Sequence, residues 1–311
     1  MTEDRLRLPG RVTGAPILRN RVAAWRGERE LVVVDGGGER RLAVDWAIDR
    51  VELAADGQYV LAFGDGHRRA QVWSTASGTS VLQVEGDGRR HSLHGGLAEL
   101  GGAPCALTAV RDKTMSITDL RDGSQPGWLS ITGYTWFQVE RVVGLSPAAL
   151  AVIGHIEGEQ YDTVVVIPAQ AVLDDSRALM TALSAQPTIK EWGYVVAIGP
   201  VGGDAVAMFR DPQWEDDDVP EDPEEAFRGL VVYDLPRRAV QQRIAYPAVP
   251  RGAALGGDAS RLAIECSGHV EVVSRGADAG AVRRVDAVAL DVHRLEVARI
   301  DGDELLIAPL P

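Results

Sequence analysis

A chain of 311 residues, 45% hydrophobic and 25% charged, is long enough to bury a large core as one domain or two. Its formal net charge of −13 argues against the basic field that generic nucleic-acid binding requires. No apolar run approaches the ~18 residues of a membrane span, and two cysteines are too few for a disulfide framework.

In chain order, MTEDRLRLPG lacks the apolar centre of a signal peptide, so the chain reads as soluble and cytoplasmic. RLRLPGRV (5–12) reads as a lone strand. From there one pattern repeats. A short apolar strand meets a Gly- or Asp-containing turn, a β-branched strand follows, and another turn ends the unit. The pairs are RVAAW with ELVVVD, YVLAF with AQVWS, CALTAV with MSITD, ALAVI with TVVVIP, DAVAMF with GLVVYD, RLAIEC with VEVVS, and RLEVARI with ELLIA. Another short strand precedes most pairs, as in VELAADG and YVVAIGP, and a fourth follows some, as in TSVLQV and AVQQRI.

Two segments depart from this pattern. DDSRALMTALSAQP (174–187) carries helix formers, an Asp or Ser cap and Pro187 as terminator. Leu179, Met180 and Leu183 share a face, which predicts one short helix near 174–185 covering an edge. The second departure is RDPQWEDDDVPEDPEEAFRG (210–229), between the second and third strands of the fifth unit. Nine of the fifteen residues from Asp211 to Glu225 are acidic and none is basic, so the rest of the molecule carries only −4 of the −13.

Seven units of four short strands, at about 40–45 residues each, have the period of a propeller. The chain resembles the WD40-like β-propeller family over nearly its whole length. The segment VWSTASGTSV (72–81) places Trp73 and Ser74 where the family has Trp-Asp, and ITDLRDGS and VYDLPRRA keep the Asp. The resemblance implies an all-β, seven-bladed β-propeller of four-stranded antiparallel blades, a single domain over 1–311. Residues 5–12 would then supply the outer strand that the last unit, ELLIAPLP, lacks. It also implies that the face bearing the second-to-third-strand loops is the partner surface.

The acidic stretch would lie on that face. Like charges about 7 Å apart repel by only ~0.6 kcal/mol per pair in water, yet nine of them with Pro212, Pro220 and Pro223 disfavour regular pairing. A solvated insertion, a contact for a basic partner and a calcium site all remain open. The last lacks the D-x-[DN]-x-[DN]-G spacing. Trp214 and Phe227 bracket the acids as candidate apolar anchors. Trp46, Trp136 and Trp192 each precede a unit's first strand, where a ring either wedges between blades or stands exposed beside the acids. The third unit has His91 and His94 there instead.

Enzyme signatures are absent: no Walker A lysine loop, no G-x-S-x-G and no H-E-x-x-H occurs. DGGGER (35–40) follows a strand and precedes no helix. His67, His91, His94, His155, His269 and His293 are scattered, and Cys105 and Cys266 lie in apolar runs as buried thiols. Neither a cofactor nor a metal is expected. The sequence reads as a non-catalytic scaffold that binds a protein or peptide, not nucleic acid or membrane. Its predicted contacts are Trp214, Glu215, Asp216, Asp217, Asp218, Glu221, Asp222, Glu224, Glu225 and Phe227, with Trp136 and Trp192 nearby. The acids would steer a basic partner and the rings would make the dry contact. The rival reading is a propeller enzyme, hydrolase or lyase, with a polar or metal site at the central channel.

Overall fold

The computed structural model describes residues 4–8, 15–86, 93–111, 114–130, 137–146, 149–156, 162–185, 193–201, 204–210, 227–235, 237, 239–245, 254–258, 260–266, 268–275 and 282–311. Its first strand, β1 (Asp4–Arg7), stands apart from its neighbours in sequence. The first blade is β2 (Ile17–Arg19), β3 (Val22–Arg26), β4 (Glu30–Asp35) and β5 (Gly38–Ala43). The second is β6 (Ile48–Leu53), β7 (Tyr59–Gly64), β8 (Arg69–Ser74) and β9 (Ser80–Glu85). In both, neighbours in sequence are neighbours in the antiparallel sheet, as short strands joined by tight turns require.

Next come β10 (Gly95–Leu100), β11 (Ala103–Arg111), β12 (Thr114–Asp119) and β13 (Gly127–Ser130), then β14 (Phe137–Ser146), β15 (Ala149–Ile156) and β16 (Asp162–Pro168). Two helices follow, α1 (Ala169–Asp174) and α2 (Ala178–Ala185). Two more four-stranded blades are β17 (Tyr194–Pro200), β18 (Asp204–Arg210), β19 (Gly229–Asp234) and β20 (Ala239–Ala245), then β21 (Leu255–Gly257), β22 (Arg261–Cys266), β23 (His269–Ser274) and β24 (Val282–Asp286). The final sheet joins β25 (Ala289–Asp291), β26 (Glu296–Asp301) and β27 (Glu304–Pro309) to β1.

The result is all-β: mostly four-stranded antiparallel blades in a propeller arrangement, with two short helices. The expected strand pairs are all present as antiparallel ladders. The expected count of seven four-stranded blades is corrected: among the described residues there are five, and β10 to β16 form one seven-stranded sheet. Its two halves join through a parallel pair, Gly95↔Arg141, between the innermost strands β10 and β14. Glycine is the physical reason, because a Cβ at Gly96 would collide with the Val142 carbonyl oxygen. Among the described residues the second half has no fourth strand. Leu179 and Leu183 of α2 and Val172 of α1 instead pack into one core with Leu129 of β13 and Ile167 of β16.

The single predicted helix is likewise corrected to two. TVVVIPAQAVL looks like one apolar strand, but Pro168 ends the ladder and caps α1. At the other end of the chain the N-terminal closure expected from sequence is observed. Asp4, Arg5, Leu6 and Arg7 pair with Ile307, Leu306, Leu305 and Glu304. Among the described residues no helix is long and apolar enough to cross a membrane.

Each sheet buries both faces against its neighbours, which is why the middle strands are apolar on both sides. Val231 faces one cluster and Val232 the next. Trp46 is a wedge of this kind. It lies buried between the first two blades, and Gly64 leaves room for its ring.

Candidate functional site

Trp214, Glu215, Asp216, Asp217, Asp218, Glu221, Asp222, Glu224, Glu225, Trp136 and Trp192 lie outside the described residues, as does His91. The frame that holds the acidic stretch is described. β18 and β19 pair without a register break from Ala205↔Asp234 to Arg210↔Gly229, so the ladder runs intact up to the segment. Phe227 is half-buried against Met208, Val231 and Tyr233, on the seam facing β14 to β16. Its ring fastens the returning chain to the blade.

The described residues that converge most closely line the centre of the ring. The innermost strands β2, β6, β10, β14 and β17, with residues near β21 and β25, surround a cavity of about 750 Å³. Leu53, Leu97, Val143, Ile198 and Val292 form apolar wall, and Arg19, Glu52, Arg141, Glu265 and His293 bring charge to it. Strand alternation explains the placement: Arg50 and Glu52 are two apart on β6 and project to the same side.

Glu52 sits between two guanidinium groups. Arg50 Nη2 is 3.6 Å and Arg141 Nε 3.5 Å from its Oε1. Arg50 is held by donating to the carbonyl oxygens of Gly95 (2.9 Å) and Glu140 (3.3 Å), and it lies 4.3 Å over the Phe63 ring. Arg19 Nη1 donates to the carbonyl oxygens of Leu18 (2.7 Å) and Leu290 (3.3 Å). The Leu290 N–H donates to Glu265 Oε2 at 2.7 Å. Asp291, fully buried, accepts from the N–H groups of Asn20, His293 and Arg294.

Burial sets the titration of these groups. It lowers the pKa of Arg19, against the pull of Asp291 and Glu265, and that of Arg50, against Glu52. Burial pushes Glu265 up to about 7, while the Leu290 N–H and Arg19 hold it down. His293 is lowered by its surroundings and then by Arg19. The cavity wall therefore mixes both signs, Arg19, Arg121 and Arg141 with Glu52, Asp56, Glu99 and Glu265, and Glu265, at about 7, is half protonated near neutrality. Within it Arg19 and Arg141 offer guanidinium donors to the anionic part of a small guest.

A second polar group links the second blade to the seven-stranded sheet. The His67 and His94 rings stack with centroids 5.7 Å apart. His94 Nδ1 lies 3.2 Å from the Glu140 carbonyl oxygen, and His155 Nδ1 lies 3.1 Å from Glu140 Oε1. Burial lowers His94, and it raises Asp162, whose Oδ2 accepts from the Val195 N–H.

The sequence reading did not single out Arg19, Glu52, Arg141 or Glu265. Their signal is a charged residue inside a short apolar strand next to a turn, as in ILRNR, RVELAAD and VERVVGL.

No family model and no curated protein matches the chain. Solved structures do. A chain in the crystal structure of the mitotic checkpoint complex is 14% identical, with a TM-score of 0.59 over 99% of this chain and 95% of that one. Hydrazine synthase of Kuenenia stuttgartiensis is 12% identical, with a TM-score of 0.64 over 95% of each chain. At such identities the likeness concerns architecture alone, and with the sheet order above it makes this chain a β-propeller.

Proposed function

We propose that this chain is a WD40-like binding scaffold that holds a protein or peptide on the face where the β18–β19 connection opens. The observation that carries the reading is the unbroken ladder up to Arg210↔Gly229. Strand pairing that stays regular up to the residues flanking the nine acids supports a role for that charge outside the blade. Glu215 to Asp218, Glu221, Asp222, Glu224 and Glu225 would steer a basic partner, and Trp214, Trp136 and Trp192 would provide apolar contact. One neighbour in the fold comparison comes from a protein complex, in keeping with this use of a propeller. The free thiols Cys105 and Cys266 fit a reducing, cytoplasmic setting.

The test is binding of Lys/Arg-rich peptides to the intact chain and to a chain lacking residues 213–226, over a range of salt. Binding that weakens with salt and disappears with the deletion, at little change in unfolding temperature, supports the reading. Equal binding by both chains removes it. Changing Asp216, Asp217 and Asp218 to Asn should flatten the salt dependence.

The charged cavity favours a second reading, in which a small anionic ligand, or a substrate for hydrolase or lyase chemistry, occupies the centre. The convergence of Arg19, Arg141 and Glu265 on one space supports it. Thermal shifts with small carboxylates, lost in Arg141→Ala, would show occupancy there.

A further inference from the structure

We propose that Cys266, His269 and Glu271 bind one divalent transition metal, zinc foremost, at the turn between β22 and β23. The register of this hairpin assembles the three donors. Cys266 pairs directly with His269, and residues opposite one another in an antiparallel ladder project to the same face. Glu271 is two residues beyond His269 and shares that face. The thiol, imidazole and carboxylate donor atoms all lie within 4.8 Å of one another, the one such group of three among the described residues. The His269 and Glu271 side chains are only 15% and 21% exposed. Cys266 packs against the apolar seam between β17–β20 and β21–β24, so the site has a dry floor.

A plain hydrogen bond explains part of this group and leaves part over. His269 Nε2 lies 3.2 Å from Glu271 Oε1, yet Nδ1 is buried without a partner. A cation bound between Nε2 and Oε1 would replace that hydrogen bond and take the thiol as its third donor, whose own contact is a weak 3.9 Å bond to the Ile264 carbonyl oxygen. Mixed sulfur, nitrogen and oxygen donors select zinc and its neighbours over magnesium and calcium, which take oxygen. Three protein donors leave a fourth position to water.

The site has a defined place on the molecule. Val201 and Gly257 form a parallel bridge, so β17 and β21 run the same way, and β18 and β22 do too. The Cys266–His269 turn therefore opens on the same face as the β18–β19 connection.

The test uses the whole untagged chain, stripped of metal and titrated with Co²⁺ and then Zn²⁺. One equivalent of cobalt should bind with a thiolate charge-transfer band that zinc abolishes. Cys266→Ser should remove the band and weaken zinc binding by more than about 100-fold, and His269→Ala and Glu271→Gln should each weaken it at least about 10-fold. Cys105→Ser should keep the band. A measurement without variants is alkylation of Cys266 in the unaltered protein, which zinc should slow and magnesium should not. No band in the unaltered chain, a band that survives Cys266→Ser, or alkylation indifferent to zinc would each overturn the proposal.

Discussion

The ring is completed in one way at the chain's ends and in another beside the helices. At the first place β1 hydrogen-bonds to β27, and Leu6, Trp25, Val32, Leu305 and Ile307 form the core between the last sheet and the first. Polar links reinforce it: Arg21 reaches Asp4 at 2.7 Å and Glu296 at 3.6 Å, and Arg294 Nη1 donates to Asn20 Oδ1 at 3.2 Å. At the second place the two halves of the seven-stranded sheet meet through the parallel pair Gly95↔Arg141, and the outer gap is filled by α1 and α2. That core is almost wholly apolar, with Met115, Ile117, Val165 and Leu179 all at 0% exposure. An unpaired edge can thus be removed by adding a strand, which needs sequence-distant pairing, or by covering it with helices, which needs only local chain.

Removing residues 1–8 should have the largest effect. It deletes the β1 ladder and the Leu6 contact, a loss of the order of 5 kcal/mol, read from the denaturant midpoint. An unchanged midpoint would mean that the strand decorates a ring already closed. Leu179→Ala tests the helical side and should cost about 3 kcal/mol as a cavity in a fully buried position. A loss under 1 kcal/mol would show the helices to be dispensable cover. Gly96→Ala should cost about 2 kcal/mol by forcing β10 away from β14.

The two places should also differ with pH. Glu265 touches the last sheet through Leu290, and its value of about 7 lies above the ordinary 4.5. The fold favours its neutral form, so that stabilisation is complete below pH 4.5 and is lost as pH rises through about 7. Glu265→Gln should flatten this decline by roughly 2.5 kcal/mol between pH 5 and 8, measured by unfolding at each pH, and Leu179→Ala should leave its slope alone. Arg5→Ala should have the smallest effect. Its pair with Glu304 joins side chains that are 60% and 38% exposed, so stability should move by less than about 0.5 kcal/mol.

The propeller was legible in the sequence because strand pairing is local. ELVVVD and GLVVYD each announce a strand buried on both faces, and the turn before each fixes its partner. The joining of β10 to β14 was not legible, since it depends on how closely two backbones approach, which Gly95 and Gly96 do not announce in the sequence. Helix α1 was hidden by its apolar composition, which a strand shares. The central charges were visible only one at a time, because Arg19 and Glu265 stand 246 positions apart and only the closed ring brings them together. Cys266, His269 and Glu271 were within reach, as CSGHVE spells a thiol, an imidazole and a carboxylate around a Ser-Gly turn. Counting cysteines in pairs passed over them.

The pairing of β1 with β27 fixes an order of events during synthesis. Arg5 and Glu304 are 299 positions apart, and bringing such distant segments together costs about 5 kcal/mol of chain entropy. While the ribosome is still making the middle of the protein, each new hairpin can settle on the one before it. β1 must wait for β27, which is made far later. In β1 the alternation of exposed Arg5 and Arg7 with buried Leu6 places charge on one side of the segment, a pattern by which edge strands discourage pairing with other chains.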